Sequence, residues 1–185
     1  MRKEIKISGF GGQGVVLAGY ILGKCMSLHQ GLEAVMTQAY GPEARGGASS
    51  SNIVVADYPI DFPFVQEADI LVALSQEAYT KFRPQTKPDA LCLIDEDLVT
   101  PFDDDRPLKI PATKLAEELG RRIVANVVML GFFTASTDLV SRETMEETIK
   151  SSVKDKTIPL NMKAFETGYA YAKQSEIDLR PEPTP

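Results

Sequence analysis

Gly9-Phe10-Gly11-Gly12-Gln13-Gly14, six residues near the start of the chain, decide how the rest is read. Upstream, Glu4–Ser8 alternates polar and apolar residues as a half-buried strand does. Downstream, Val15, Val16, Ala18, Ile21, Leu22, Cys25 and Met26 fall on the spacing of a helix lying on a sheet. That spacing predicts a helix over Gln13–Gln30, closed by Gly31 as helix ends prefer. The apolar run Ala34–Gln38 predicts a second strand, so strand, glycine turn, helix and strand form a βαβ unit.

Within that unit Gly9, Gly11 and Gly14 fit the G-x-G-x-x-G spacing in its required context, after a strand and opening a helix. The first glycine permits the tight turn, the second lets backbone approach a pyrophosphate, and the third brings helix against strand. Free amides at the helix start, with their partial positive charge, favour an anion. Gly9, Gly11, Gly12, Gln13 and Gly14 are therefore expected to hold a phosphate-bearing group, either a free ligand or a cofactor bound to a partner. Gln13 adds an amide able to donate to phosphate or to a neighbouring chain. The bland alternative is a turn that only packs the helix onto the sheet. A nicotinamide dinucleotide site also needs an acidic residue near the end of the second strand. Met36-Thr37-Gln38-Ala39-Tyr40 has none, and Glu33 stands at the wrong end, which argues against that ligand.

The segment Ala39–Ala48 is rich in glycine and leaves the second strand at the sheet's carboxyl edge, where open α/β sheets bind ligands. Long polar loops at that edge usually have a function. Arg45, flanked by glycine, can present a guanidinium to a carboxylate or phosphate. Glu43 either steers Arg45 or faces a partner. Tyr40, Glu43, Arg45 and Gly46 thus join the glycine turn as candidate binding residues. The plain alternative is a surface loop carrying an ion pair of little worth.

Farther along, strands are predicted over Ser49–Ala56, Asp69–Leu74 and Ala90–Ile94. Helices are predicted over Gln76–Phe82, Thr113–Gly120, Ile123–Ser136, Ser141–Val153 and Asn161–Gln174. Ser141 reads as an N-cap with Glu143 in the first turn. The alternation predicts an α/β fold, a Rossmann-like doubly wound and mostly parallel sheet with helices on both faces. It fills one domain over residues 1–175, followed by a Pro-rich tail at 176–185.

Composition narrows function. With 26 acidic against 20 basic residues the net charge is −6, which disfavours nucleic acid as partner. No apolar stretch is long enough for a membrane span and none opens the chain as a signal peptide, so a cytoplasmic location is expected. Cys25 and Cys92 are too few and too far apart for a cluster or a structural zinc site, and both fall at core positions. No metal site and no catalytic constellation emerges. Asp103-Asp104-Asp105 reads as a solvated loop, and the one histidine, His29, as a helix-end residue. Asn126, polar at the start of an apolar helix, either caps that helix or bonds a neighbouring loop.

Gly9–Val15 together with Tyr40-Gly41-Pro42-Glu43-Ala44-Arg45-Gly46-Gly47 resembles the gamma subunit, or gamma domain, of 2-oxoacid:ferredoxin oxidoreductases. Asp69-Ile70-Leu71-Val72, Ala125-Asn126 before Leu130-Gly131, and Ile158-Pro159 with Asn161 near Gly168-Tyr169 extend the likeness over about Lys6 to Lys173. The resemblance implies a non-catalytic subunit of an assembly that decarboxylates a 2-oxoacid oxidatively to an acyl-CoA and reduces ferredoxin. The complex would use thiamine diphosphate, mainly between the alpha and beta subunits, [4Fe-4S] clusters in the beta and ferredoxin-like delta subunits, and coenzyme A. The gamma part would support the active site and contribute to coenzyme A handling, with 2-oxoglutarate the favoured substrate. The isolated chain would be inactive and would self-associate as a symmetric dimer. A stand-alone nucleotide- or CoA-binding protein is the competing reading.

Overall fold

The computed structural model describes residues 1–28, 32–39 and 48–178, with side chains as far as residue 174. In chain order the elements are β1 (Arg2–Phe10), α1 (Val15–Ser27), β2 (Glu33–Ala39), β3 (Ala48–Ala56), β4 (Ala68–Ala73) and α2 (Gln76–Phe82). There follow β5 (Thr86–Asp95), β6 (Leu108–Ile110), α3 (Ala112–Glu118), α4 (Ala125–Ser136), α5 (Arg142–Lys150) and α6 (Ile158–Asp178). The strands form one sheet in the order β2-β3-β1-β4-β5-β6.

The first βαβ unit is present, but β1 and β2 are not neighbours. β3 lies between them, antiparallel to both, while β1, β4, β5 and β6 pair in parallel. The reason is connection length. Only eight residues separate β2 from β3, and a parallel return needs a crossover of a dozen or more. β3 must therefore turn back along β2, and the sheet is mixed, with this one reversed strand.

Alternation along the strands divides the core. Ile5, Ile7, Ile53, Val55, Ile70, Val72 and Leu93 point to one face, beneath α1 and the α3–α6 layer. Leu71, Ala73, Cys92 and Ile94 point to the other, covered by Ala78, Tyr79 and Phe82 of the short α2. Both faces thus carry helix, very unequally. The thin face tolerates polar residues: Lys6 is buried there, donates to Asn52 Oδ1 at 2.8 Å and lies 4.5 Å from the centroid of the Phe82 ring.

α4 is buried on almost every side, from Asn126 to Ala135, as expected of a helix apolar all round. It crosses α6 at a point where glycine faces backbone. A methyl group at Gly131 would sit 2.8 Å from Tyr169 N, and one at Gly168 2.8 Å from the Val128 carbonyl carbon, with each closer still to a carbonyl oxygen. Ser141 caps α5 as the sequence predicts, its hydroxyl accepting from Thr144 N at 3.2 Å. No helix among the described residues is long and apolar enough to cross a membrane.

Two expectations change in detail. Asp105 is not part of a solvated loop: Arg83 Nε and Nη2 donate to its carboxylate at 2.6 and 2.7 Å, and the Tyr79 hydroxyl donates to it as well. This ties the segment after β5 to α2, and the carboxyl is held below its ordinary range chiefly by Arg83. The three-residue β6 has no counterpart in the expected elements, because so short a strand leaves no readable alternation.

Candidate functional site

The glycine turn stands at the carboxyl end of β1, between β1 and β4. Here the chain order reverses across the sheet, the crevice in which such sheets bind ligands. α1 begins at Val15, the first of its apolar positions and two residues later than the expected Gln13, with Gly14 as N-cap in a left-handed conformation at φ 73°. Gly12 is also left-handed, at φ 94°. Together these bends lift the chain off the strand and start the helix without a side-chain cap. Among the described residues the amides of Gly11, Gly12, Gly14, Val15 and Val16 meet no acceptor, and Gly11 and Gly12 are exposed. A row of unsatisfied donors at the positive end of a 13-residue helix is a place for an anion.

The turn is braced from four sides. Gln13 does not reach outward: its Oε1 accepts from Phe10 N at 2.6 Å and its Nε2 donates to Leu74 O at 2.7 Å, linking the ends of β1 and β4. The amide expected to serve phosphate or a neighbouring chain is thus spent inside the turn. Asn126, at the start of α4, is 3% exposed; its Nδ2 donates to Gly14 O at 3.1 Å while its Oδ1 accepts from Val127 N at 2.9 Å. Of the two roles the sequence allows it takes the second, bonding a neighbouring turn; the N-cap of α4 is Val124, without a side-chain bond, and Asn126 serves a first-turn amide from inside the helix. From β3, Ser49 Oγ donates to Gly9 O at 3.2 Å and Ser51 Oγ to Val15 O at 3.1 Å.

Two hollows flank the turn. One, of about 260 Å³, opens over Gly12, Gln13 and Leu74, with Thr113 and Arg122 on its wall. The other, of about 740 Å³, runs from Gly14 and Leu17 to the segment before α6. Both lie beneath the 3₁₀ turn Arg122–Val124 that precedes α4.

Of the sequence-derived candidates, Gly9, Gly11, Gly12, Gln13 and Gly14 come together here. Tyr40, Glu43, Arg45 and Gly46 lie outside the described residues, as do His29, Gly31 and the tail from residue 179 onward; its first three residues, 176–178, continue α6. The ends of that loop are described: Ala48 pairs with Phe10 and Ala39 with Ser50, so the loop leaves and rejoins the sheet at the rim carrying the glycine turn. Sequence reasoning missed Ser49 and Ser51. The signal was there, since Ser49-Ser50-Ser51 is a poor strand former in a stretch that must be one.

Elsewhere the chemistry is quiet. Cys25 and Cys92 are buried, and burial pushes their thiols up to about 11 and about 12. Buried Asp95 accepts from Thr113 N and Oγ1 at 2.9 and 2.6 Å, fastening α3 to the end of β5. No group of three or more His, Cys, Asp or Glu is placed to hold a metal ion among the described residues.

Comparison with known proteins adds the relationships. Residues 4–171 match the family described as pyruvate ferredoxin/flavodoxin oxidoreductase. The 2-oxoglutarate synthase subunit KorC of Methanocaldococcus jannaschii is 53% identical over 179 residues, 94% of this chain and 96% of that one. The keto/oxoacid ferredoxin oxidoreductase gamma subunit of Geobacter sulfurreducens superposes with a TM-score of 0.84 at 40% identity, over 94% of this chain and 98% of that one. A 2-oxoglutarate:ferredoxin oxidoreductase from Magnetococcus marinus, solved with 2-oxoglutarate, coenzyme A and succinyl-CoA bound, shares the fold at a TM-score of 0.81 and 22% identity. That match covers 94% of this chain but 31% of the other.

Proposed function

The chain belongs to the pyruvate ferredoxin/flavodoxin oxidoreductase family, and from that premise we propose that it is the gamma subunit of a 2-oxoglutarate:ferredoxin oxidoreductase, folded as one domain over residues 1–175. Likeness along nearly its whole length to a 2-oxoglutarate synthase subunit supports the substrate over pyruvate or branched-chain oxoacids. The enzyme would oxidise 2-oxoglutarate to succinyl-CoA and carbon dioxide in the cytoplasm, passing electrons to ferredoxin. Alpha, beta and ferredoxin-like delta subunits would complete it.

The observation that carries this reading is the row of bare amides at the start of α1, beside the loop from β2 to β3. Coenzyme A brings a pyrophosphate of matching charge, and Gly11, Gly12 and Gly14 would hold it by backbone donors that need no side chain. Gly9 keeps the approach tight, since a methyl group there would lie 3.0 Å from Leu74 Cβ. Tyr40, Glu43, Arg45 and Gly46 are the further candidates for binding the same group. The [4Fe-4S] clusters do not fit this chain: a cluster takes four thiolates, and the two here are buried and chemically quiet. Clusters and thiamine diphosphate would therefore sit on partners, this chain binding and orienting the acyl acceptor.

Reconstitution tests the reading. Co-expressed with its partner subunits, the chain should co-purify, and CoA-dependent ferredoxin reduction should appear with 2-oxoglutarate and fall away when this subunit is omitted. Full turnover without it, or failure to associate, would overturn the proposal. Tight CoA binding by the isolated chain without association would instead favour a stand-alone binding protein.

A further inference from the structure

The larger hollow beside the glycine turn has a charge pattern that the chain's composition does not predict. Its charged lining residues are Arg121, Lys154 and Lys156, with no aspartate or glutamate among them. In a chain of 26 acidic and 20 basic residues, three cations with no acid run against the average. All three are exposed, and none makes an ion pair among the described residues. Neighbouring cations do find partners: Arg122 pairs with Glu117, Lys24 donates to Ser151, and Arg142 pairs with Glu146. Asp155 lies between the two lysines in sequence but is not part of the lining.

Beneath the cationic rim the walls are apolar, from Leu17, Val124, Val153 and Leu160. Asn161 is 7% exposed and donates to Thr157 O at 2.9 Å, which fixes the first turn of α6 along one side. At about 740 Å³ the cleft is the size of a small-molecule site, apolar with a few polar groups at its edge. Gly14 belongs to both the cleft and the row of bare amides. A ligand whose pyrophosphate rests on those amides therefore carries its next portion into the cleft.

Resting on the coenzyme A reading above, we propose that this cleft receives the 3′-phosphorylated ribose end of coenzyme A. Arg121, Lys154 and Lys156 are then the residues by which the enzyme distinguishes coenzyme A from its 3′-dephospho form. A phosphomonoester carries between one and two negative charges near pH 7, and three unpaired cations are placed to meet it. The apolar walls suit the adenosine to which that phosphate is attached.

The test is the ratio of KM for 3′-dephospho-coenzyme A to KM for coenzyme A, measured with the reconstituted enzyme. The intact protein should favour coenzyme A about tenfold or more, as expected when one charged hydrogen bond is lost. In Lys154→Ala/Lys156→Ala, and further with Arg121→Ala, the ratio should fall toward one, with unfolding midpoints showing that the fold survives. The preference should also shrink as salt rises. An enzyme that uses both forms equally well from the start, or variants that keep the full ratio, would overturn the inference and leave the subunit assignment intact. Turnover indifferent to any coenzyme A would defeat both.

Discussion

Gly14 and Asn126 should be energetically coupled, and the coupling can be sized from the contacts they make. Gly14 adopts φ 73°, a conformation that costs a residue with a side chain about 1–2 kcal/mol. A methyl group at Gly14 also meets the Asn126 amide, with Cγ 2.8 Å away and Nδ2 nearer still, so Gly14→Ala must expel the asparagine as well as strain the backbone. What the asparagine contributes follows from its bonds. The Gly14 carbonyl keeps a second partner, Ala18 N at 2.9 Å, so removing Asn126 does not orphan it. Losing the two hydrogen bonds should then cost about 1.5 kcal/mol, near the lower end for buried bonds. Gly14→Ala alone should cost about 2.5 kcal/mol, strain and expulsion together. In an Asn126→Ala background the expulsion is already complete, and Gly14→Ala should add only about 1 kcal/mol. Urea unfolding of the four proteins at 25 °C measures the cycle, with a saving of about 1.5 kcal/mol in the double variant expected. Additive costs would mean that Asn126 does not brace the turn.

Gly168→Ala or Gly131→Ala forces backbone apart where α4 crosses α6, and each should cost more than about 3 kcal/mol or prevent soluble expression. A variant with a near-native urea midpoint would show that the helices are not so close. Arg83 and Tyr79 hold the Asp105 carboxyl below its ordinary range, so its contribution is present at neutral pH and fades as pH falls through that lowered value. Asp105→Asn should lose about 2–3 kcal/mol at pH 7 and progressively less toward pH 3, whereas a pH-independent loss would contradict the ion pair. Cys25 and Cys92 should resist a thiol reagent at pH 8 in the native protein and both react in denaturant, while rapid native labelling would put either outside the core.

Much of this was legible in the residues, for reasons that can be named. The strand, turn and helix at the start announce themselves because glycine spacing and helical periodicity are local properties. The Ser141 cap is local too. The reversal of β3 could have been read from its eight-residue link to β2, had connection length been weighed against the βαβ pattern. What stayed hidden depends on distant contacts. Gln13 looks like a free donor until Leu74, 61 positions away, is seen to accept from it. Asp105 looks solvated until Arg83 and Tyr79 approach from α2. The cleft joins residues near 121 and 154 to Gly14, a meeting that only the packing of α4 and α5 on α1, with α6 against both, creates.

The most direct measurement is a cryo-EM structure of the reconstituted enzyme in the presence of coenzyme A. A phosphate or carboxylate oxygen should lie about 3 Å from the amide nitrogens of two or more of Gly11, Gly12 and Gly14. A glycine turn facing open solvent, or sealed under a partner's apolar side chains with the ligand's phosphates held elsewhere, would contradict the account.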